Sequence, residues 1–125
     1  MRWLIDTHVF LWSVTGDPRL TAPIRDRLLE ADAVFVSAAS IWEIAIKVRL
    51  GKLHADVSQL VDAIAASGFH ELPVWARHTA AVATLPAHHG DPFDRLLVAQ
   101  AVTEPLRLMT ADRVISMYGP WVELI

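Results

Sequence analysis

The chain reads as a three-layer α/β/α sandwich built around a mainly parallel sheet. Short apolar runs of strand length alternate with segments of helix length from end to end, the rhythm of βα units. The first run is apolar without alternation, as a strand covered on both faces requires. Three strand candidates also end in polar residues, namely Asp6, Ser37, and Thr110 with Asp112 just beyond. Parallel sheets place their ligand sites at that C-terminal edge.

Trp3-Leu4-Ile5 is the first strand, closed by Asp6. The nearly all-apolar stretch Val9 to Val14 belongs to a helix starting near Thr7 and stopped by Gly16-Asp17-Pro18. Thr21-Ala22-Pro23 opens a second helix with proline in its first turn. It runs to about Glu30, with Ile24, Leu28 and Leu29 turned inward. Ala33 to Ser37 is the second strand and leads into a helix from Ala39 to Leu50, stopped by Gly51. A further helix covers Val57 to Ser67, its apolar spacing carried by Leu60, Val61 and Ile64. Phe69 to Val74 is a third strand, and Ala76 to Leu85 a helix ended by Pro86. After the loop His88-His89-Gly90-Asp91, the segment Phe93 to Glu104 is apolar almost all round and therefore central. Leu106 to Thr110 is a strand, and Trp121 to Leu124 a short last one at an edge.

At 125 residues and 13.9 kDa, residues 1–125 make a single domain with one core. An apolar share of 54% against 20% charged excludes disorder. It also points to a surface covered by a partner or a second copy. The net charge of −3 argues against non-specific coating of nucleic acid, which needs a basic face. A nuclease remains open, because an acidic metal site carries charge that its cations neutralise locally. The absence of cysteine removes disulfides, thiolate nucleophiles and cysteine-ligated zinc. No run of about 18 apolar residues suggests a membrane span. The N-terminus meets Asp6 before a signal-peptide apolar region forms, so a cytoplasmic protein is expected.

Asp6, Asp94 and Asp112 fall where such a sheet gathers residues at one edge, and Glu43 lies on a helix between them. Carboxylates brought together repel by roughly 4 kcal/mol per close pair at an effective dielectric near 20. A fold tolerates this by protonating some of them or by binding a cation. Each acid also has a plainer reading. Asp6 and Asp112 suit helix caps, and Asp91 before Pro92 reads as the cap of its helix. Glu43 and Lys47 form a favourable i, i+4 pair worth roughly 0.3 kcal/mol. Asp94 stands apart, because Leu97 and Val98 place it on an apolar stripe where a carboxylate needs a partner. Lys47, Arg49, Lys52 and Arg95 are candidates for holding backbone phosphates, or are solvated surface charge. No two histidines share a helix face at metal-ligand spacing, and no glycine-rich phosphate loop or G-x-S-x-G elbow is present.

The segments Ile5-Asp6-Thr7-His8, Ser40-Ile41-Trp42-Glu43-Ile44, Leu50-Gly51-Lys52-Leu53, Asp91-Pro92-Phe93-Asp94-Arg95 and Thr110-Ala111-Asp112 together resemble the PIN-domain ribonucleases, in particular VapC-like toxins of type II toxin–antitoxin systems. The resemblance spans the chain in order. It implies an acidic set at Asp6, Glu43 and Asp94, with Asp112 at a more variable fourth position, all serving catalysis and metal binding. It makes the hydroxyls of Thr7, Ser37 and Thr110 supports for those carboxylates. It further implies Mg²⁺ or Mn²⁺ dependence, endonucleolytic RNA cleavage by metal-activated water, a homodimer, and inhibition by a cognate antitoxin. A PIN nuclease of RNA processing or decay would share the chemistry. A catalytically silent protein-binding module would use the apolar surface instead. A phosphotransfer domain with Asp6 as nucleophile lacks the second carboxylate two residues on, where His8 stands.

Overall fold

The computed structural model describes residues 1–125. Its sheet has five strands: β1 (Arg2–Ile5), β2 (Ala33–Ser37), β3 (His70–Leu72), β4 (Arg107–Thr110) and β5 (Val122–Leu124). The helices are α1 (Thr7–Thr15), α2 (Ala22–Leu29), α3 (Ala38–Arg49), α4 (Val57–Ala66), α5 (Ala76–Ala81) and α6 (Pro92–Thr103). Strand order is β3-β2-β1-β4-β5, and every pairing is parallel. The expected three-layer architecture is therefore present, with β1 at the centre and β5 at an edge.

Alternate side chains of the central strands feed two separate cores. Trp3 and Ile5 of β1, Val34 and Val36 of β2 and Met109 of β4 pack with Phe10, Leu28, Ile44 and Ile64 from α1 to α4. Leu4 and Leu108 face the other way, onto Leu97, Val98 and Ala101 of α6 and Ile115. Helix α6 is the central helix its composition predicts, buried from Leu97 to Ala101. Strand β1 thus has apolar cover on both sides, which accounts for its unbroken apolar sequence.

The sheet divides the single core expected from the chain length into two, and three further details depart from the sequence reading. Leu29 is 83% exposed, because Ile24 and Leu28 hold the inward stripe of α2 and the next residue rotates away. Strand β3 contributes only His70–Leu72, since Pro73 has no N–H to extend the ladder. Helix α5 ends at Ala81 and tightens into a 3₁₀ turn at Val82–Thr84. The Val82 carbonyl in that turn is taken by the Arg95 guanidinium at 3.2 Å.

A candidate metal centre at the sheet edge

Strand register places Ile5 beside Val36 on one side and Met109 on the other. The next residues along, Asp6, Ser37 and Thr110, therefore meet at the C-terminal edge. The connections leaving β1 and β4 run to opposite sides here, which opens the crevice where α/β sheets hold ligands. Asp6 is 4% exposed. Its Oδ1 accepts the Val9 N–H at 2.9 Å, capping α1, and its Oδ2 accepts the Thr110 hydroxyl at 2.5 Å. Capping and site are thus not alternatives for this residue: the cap fixes where the carboxylate points.

Glu43 is buried on the inner face of α3. Thr7 Oγ1 donates to its Oε1 at 2.8 Å and lies 2.9 Å from Ser40 Oγ. The other oxygen, Oε2, pairs with Lys47 Nζ at 2.9 Å. The i, i+4 ion pair is therefore formed, on a carboxylate that also turns toward the acidic cluster. Ser40 was not among the sequence candidates; its three-residue spacing from Glu43 puts both on one helix face. Ser37 takes a different task from the one expected. Its oxygen accepts the Ala39 N–H at 3.0 Å and caps α3, and it makes no hydrogen bond to a carboxylate of the site.

Asp94 sits in the first turn of α6, behind the cap supplied by Asp91, whose Oδ1 accepts the N–H groups of Phe93 (2.8 Å) and Asp94 (3.0 Å). Burial, then the charge of Asp91, push the Asp94 carboxyl up to about 7; Glu43 and Asp6 push the same way, and His89 opposes them. Burial likewise raises the Asp6 carboxyl, against its bonds to Thr110 and Val9, with Glu43 adding to the rise. Asp112 behaves oppositely. Partial burial pushes it up, but bonds from His89 and the Val114 N–H outweigh this and hold it below the ordinary carboxylate range. Its Oδ1 accepts the Val114 N–H at 2.8 Å, just ahead of the 3₁₀ turn Ile115–Tyr118, and its amide donates to Thr110 Oγ1 at 3.0 Å.

Arg95 does not reach outward for phosphate. Its guanidinium donates to the carbonyls of Pro86 (3.1 Å), His89 (3.4 Å) and Val82 (3.2 Å) and to the Tyr118 hydroxyl (3.2 Å). It staples the loop before α6. That loop carries the residue the sequence reading missed: His89 Nε2 lies 2.9 Å from Asp112 Oδ2 and 3.2 Å from Asp94 Oδ2. Helical spacing could not reveal it, because the contact is made by a loop.

Glu43 raises the carboxyls of both Asp6 and Asp94, and Asp94 and Asp112 share His89. The donors are hard carboxylate oxygens, partly desolvated and mutually repelling, which fits a hard divalent cation. A cleft of about 400 Å³ opens elsewhere, beside Leu28, Ala33 and Phe69, and holds no such cluster. A second, about 340 Å³, is lined by Thr7, Lys47 and Lys52 and adjoins the acids through Thr7 and Lys47.

A parallel sheet with acids gathered at its switch point defines a class, and the sequence assigns it: residues 3–119 match the model of the PIN domain, so the chain belongs to the PIN-domain family. Within that family it is similar to Ribonuclease VapC22 of Mycobacterium tuberculosis (strain ATCC 25618 / H37Rv). The two are 30% identical over 116 residues, 88% of this chain and 86% of the relative. The fold is also that of VapBC2 from Rickettsia felis, solved bound to a DNA fragment from their promoter. That match has a TM-score of 0.73 at 17% identity and covers 100% of this chain and 98% of that one. A toxin-antitoxin complex from Klebsiella pneumoniae matches with a TM-score of 0.66 at 15% identity, over 96% and 94% of the two chains. No helix is long and apolar enough to cross a membrane.

Proposed function

We propose that this chain is a Mg²⁺-dependent endoribonuclease and the toxin of a type II toxin–antitoxin pair, with Mn²⁺ able to replace Mg²⁺. The observation that carries the reading is the convergence of Asp6, Glu43, Asp94 and Asp112 from four separate parts of the chain on one sheet edge. The family assignment and the similarity to a VapC ribonuclease support it.

Asp6 and Asp94 would hold the ion directly, with Glu43 and Asp112 binding it directly or through water. Such an ion supplies Lewis acidity, offsetting charge on the scissile phosphate and acidifying water at the site. The chain's own groups set the geometry. Thr110 and the Val9 amide orient Asp6, Thr7 orients Glu43, and the Asp91 cap fixes the first turn of α6 beneath Asp94. Lys52, with Lys47 beside it, lines the adjoining cleft, where the RNA backbone would lie. A water activated by the ion needs no ribose 2′-OH, so hydrolysis would leave a 5′-phosphate and a 3′-hydroxyl.

The test is cleavage-site mapping on total RNA with purified protein, Mg²⁺ or EDTA, and the variants Asp6→Asn and Asp94→Asn. Asparagine at position 6 keeps the α1 cap while removing the charge. Both variants should fold and lose cleavage by at least about 100-fold, as when transition-state charge stabilisation is removed. Parent-level cleavage in EDTA, or a 2′,3′-cyclic phosphate on the product, would refute the mechanism. The toxin role predicts growth arrest on expression, relieved by co-expressing the product of a small adjacent reading frame. The surface for that partner, or for a second copy, includes exposed Trp42, Ile46 and Leu50 along α3.

A further inference from the structure

The reading above leaves His89 unused, although it touches two of the four acids. We propose that His89 is a positioning residue: its Nε2–H ties the Asp112 carboxylate to that of Asp94 and so shapes the site for a hard cation without ligating the ion. This rests on the acidic cluster being a metal centre.

The ring's protonation pattern follows from its neighbours. His89 Nδ1 accepts the Asp91 backbone N–H at 3.0 Å. An accepting ring nitrogen carries no proton, so the hydrogen is on Nε2. That N–H donates to Asp112 Oδ2 at 2.9 Å, and the same nitrogen lies 3.2 Å from Asp94 Oδ2. The nitrogen and the two carboxylate oxygens lie within 4.8 Å of one another, close enough on distance alone to surround an ion. Chemistry argues otherwise. A ligating Nε2 needs its lone pair, which would move the proton to Nδ1 and set it against the Asp91 N–H.

The loop backbone that carries the ring is also held. The Tyr118 hydroxyl accepts the His89 backbone N–H at 3.1 Å and an Arg95 N–H at 3.2 Å, and Arg95 grips the carbonyls of Pro86 and His89. The loop therefore presents a fixed donor. The other oxygen of Asp112 is occupied by the Val114 amide at 2.8 Å. With His89 in place, both oxygens of Asp112 are anchored and one of them is held toward Asp94.

The experiment combines Mg²⁺ titration calorimetry on the parent, His89→Ala and His89→Gln with side-chain ¹H–¹⁵N correlation spectra of the parent. Loss of the donor in His89→Ala should weaken Mg²⁺ binding about 10- to 100-fold, the usual effect of removing a group that orients a ligand. Glutamine returns an N–H near the Nε2 position, so His89→Gln should recover most of that loss. In the parent, His89 should keep its proton on Nε2 when saturated with diamagnetic Mg²⁺. A proton on Nδ1 in the Mg²⁺-loaded protein would make His89 a ligand and overturn the proposal. So would parent-like affinity in His89→Ala, or a His89→Gln variant as weak as the alanine one. Failure of the parent itself to bind Mg²⁺ would remove the metal centre, and this role with it.

Discussion

Asp94 concentrates the cost of the site. Its carboxyl is raised from 3.8 to about 7 by burial and by Asp91, Glu43 and Asp6, and it is still 22% exposed at the side chain. A shift of that size bounds the penalty of the ionised form near roughly 4 kcal/mol; partial exposure and relaxation reduce it to about 1–2 kcal/mol. Asp94→Asn should therefore raise the melting temperature of the EDTA-treated protein at pH 8 while removing cleavage. A variant that melts below the parent would mean that the cluster is not under electrostatic strain. Asp6, Glu43 and Asp112 each have a structural bond beside the cluster, namely an α1 cap, the Lys47 pair and the bond from the Val114 amide. Structural and functional readings of a carboxylate are compatible because it has two oxygens and one of them can anchor the other.

Two helices hold the site to the sheet. Helix α6 begins at Asp91, which satisfies two otherwise orphaned N–H groups. Asp91→Ala should cost about 1 kcal/mol, read as a fall of a few degrees in melting temperature. It should also weaken Mg²⁺ binding, because the first turn of α6 carries Asp94. The far end of α6 is tied to α5 through His78, which is fully buried. His78 Nδ1 accepts from the Trp75 amide, and Nε2 meets Glu104 Oε1 at 2.7 Å; Gln100 Nε2 adds bonds to His78 and to the Pro73 carbonyl. Bonds from His78 and then Arg77 lower the Glu104 carboxyl below its ordinary 4.5. A carboxyl lowered by folding stabilises above its unfolded value and loses that contribution as pH falls through its folded one. The melting temperature should thus drop as pH is taken below about 4.5, and Glu104→Gln should flatten that acid limb. An unchanged limb in the variant would show that the α5–α6 tie does not depend on charge.

The whole chain divides its labour between two cores that leave one edge of the sheet polar. Trp3 and Ile5 commit to one core, Leu4 to the other, and Asp6 emerges between them with no apolar layer left to enter. Buried like charges oppose folding, so an ion that binds only the folded state should stabilise it measurably. At 100 times its dissociation constant, Mg²⁺ should add about 2.7 kcal/mol, seen as a rise in melting temperature abolished by EDTA. No response to Mg²⁺ or Mn²⁺ would disprove the metal centre. The resulting shape also leaves Trp42, Ile46 and Leu50 exposed along α3, consistent with the high apolar content of so small a chain.

Element types, their order and the polar strand ends were legible along the chain, because apolar periodicity and terminators act over a few residues. Asp6, Asp94 and Asp112 stood out for the same local reason, an acid directly after a strand or inside an apolar stripe. Glu43 needed the family resemblance, since its spacing to Lys47 by itself favours a plain helix-surface ion pair. The task of Arg95 as a loop staple, the diversion of Ser37 to a cap, and the place of His89 between two carboxylates were not legible at all. Each depends on contacts between segments distant in sequence or on the path of a loop, and no local pattern encodes which partner such a group meets once the chain has closed on itself.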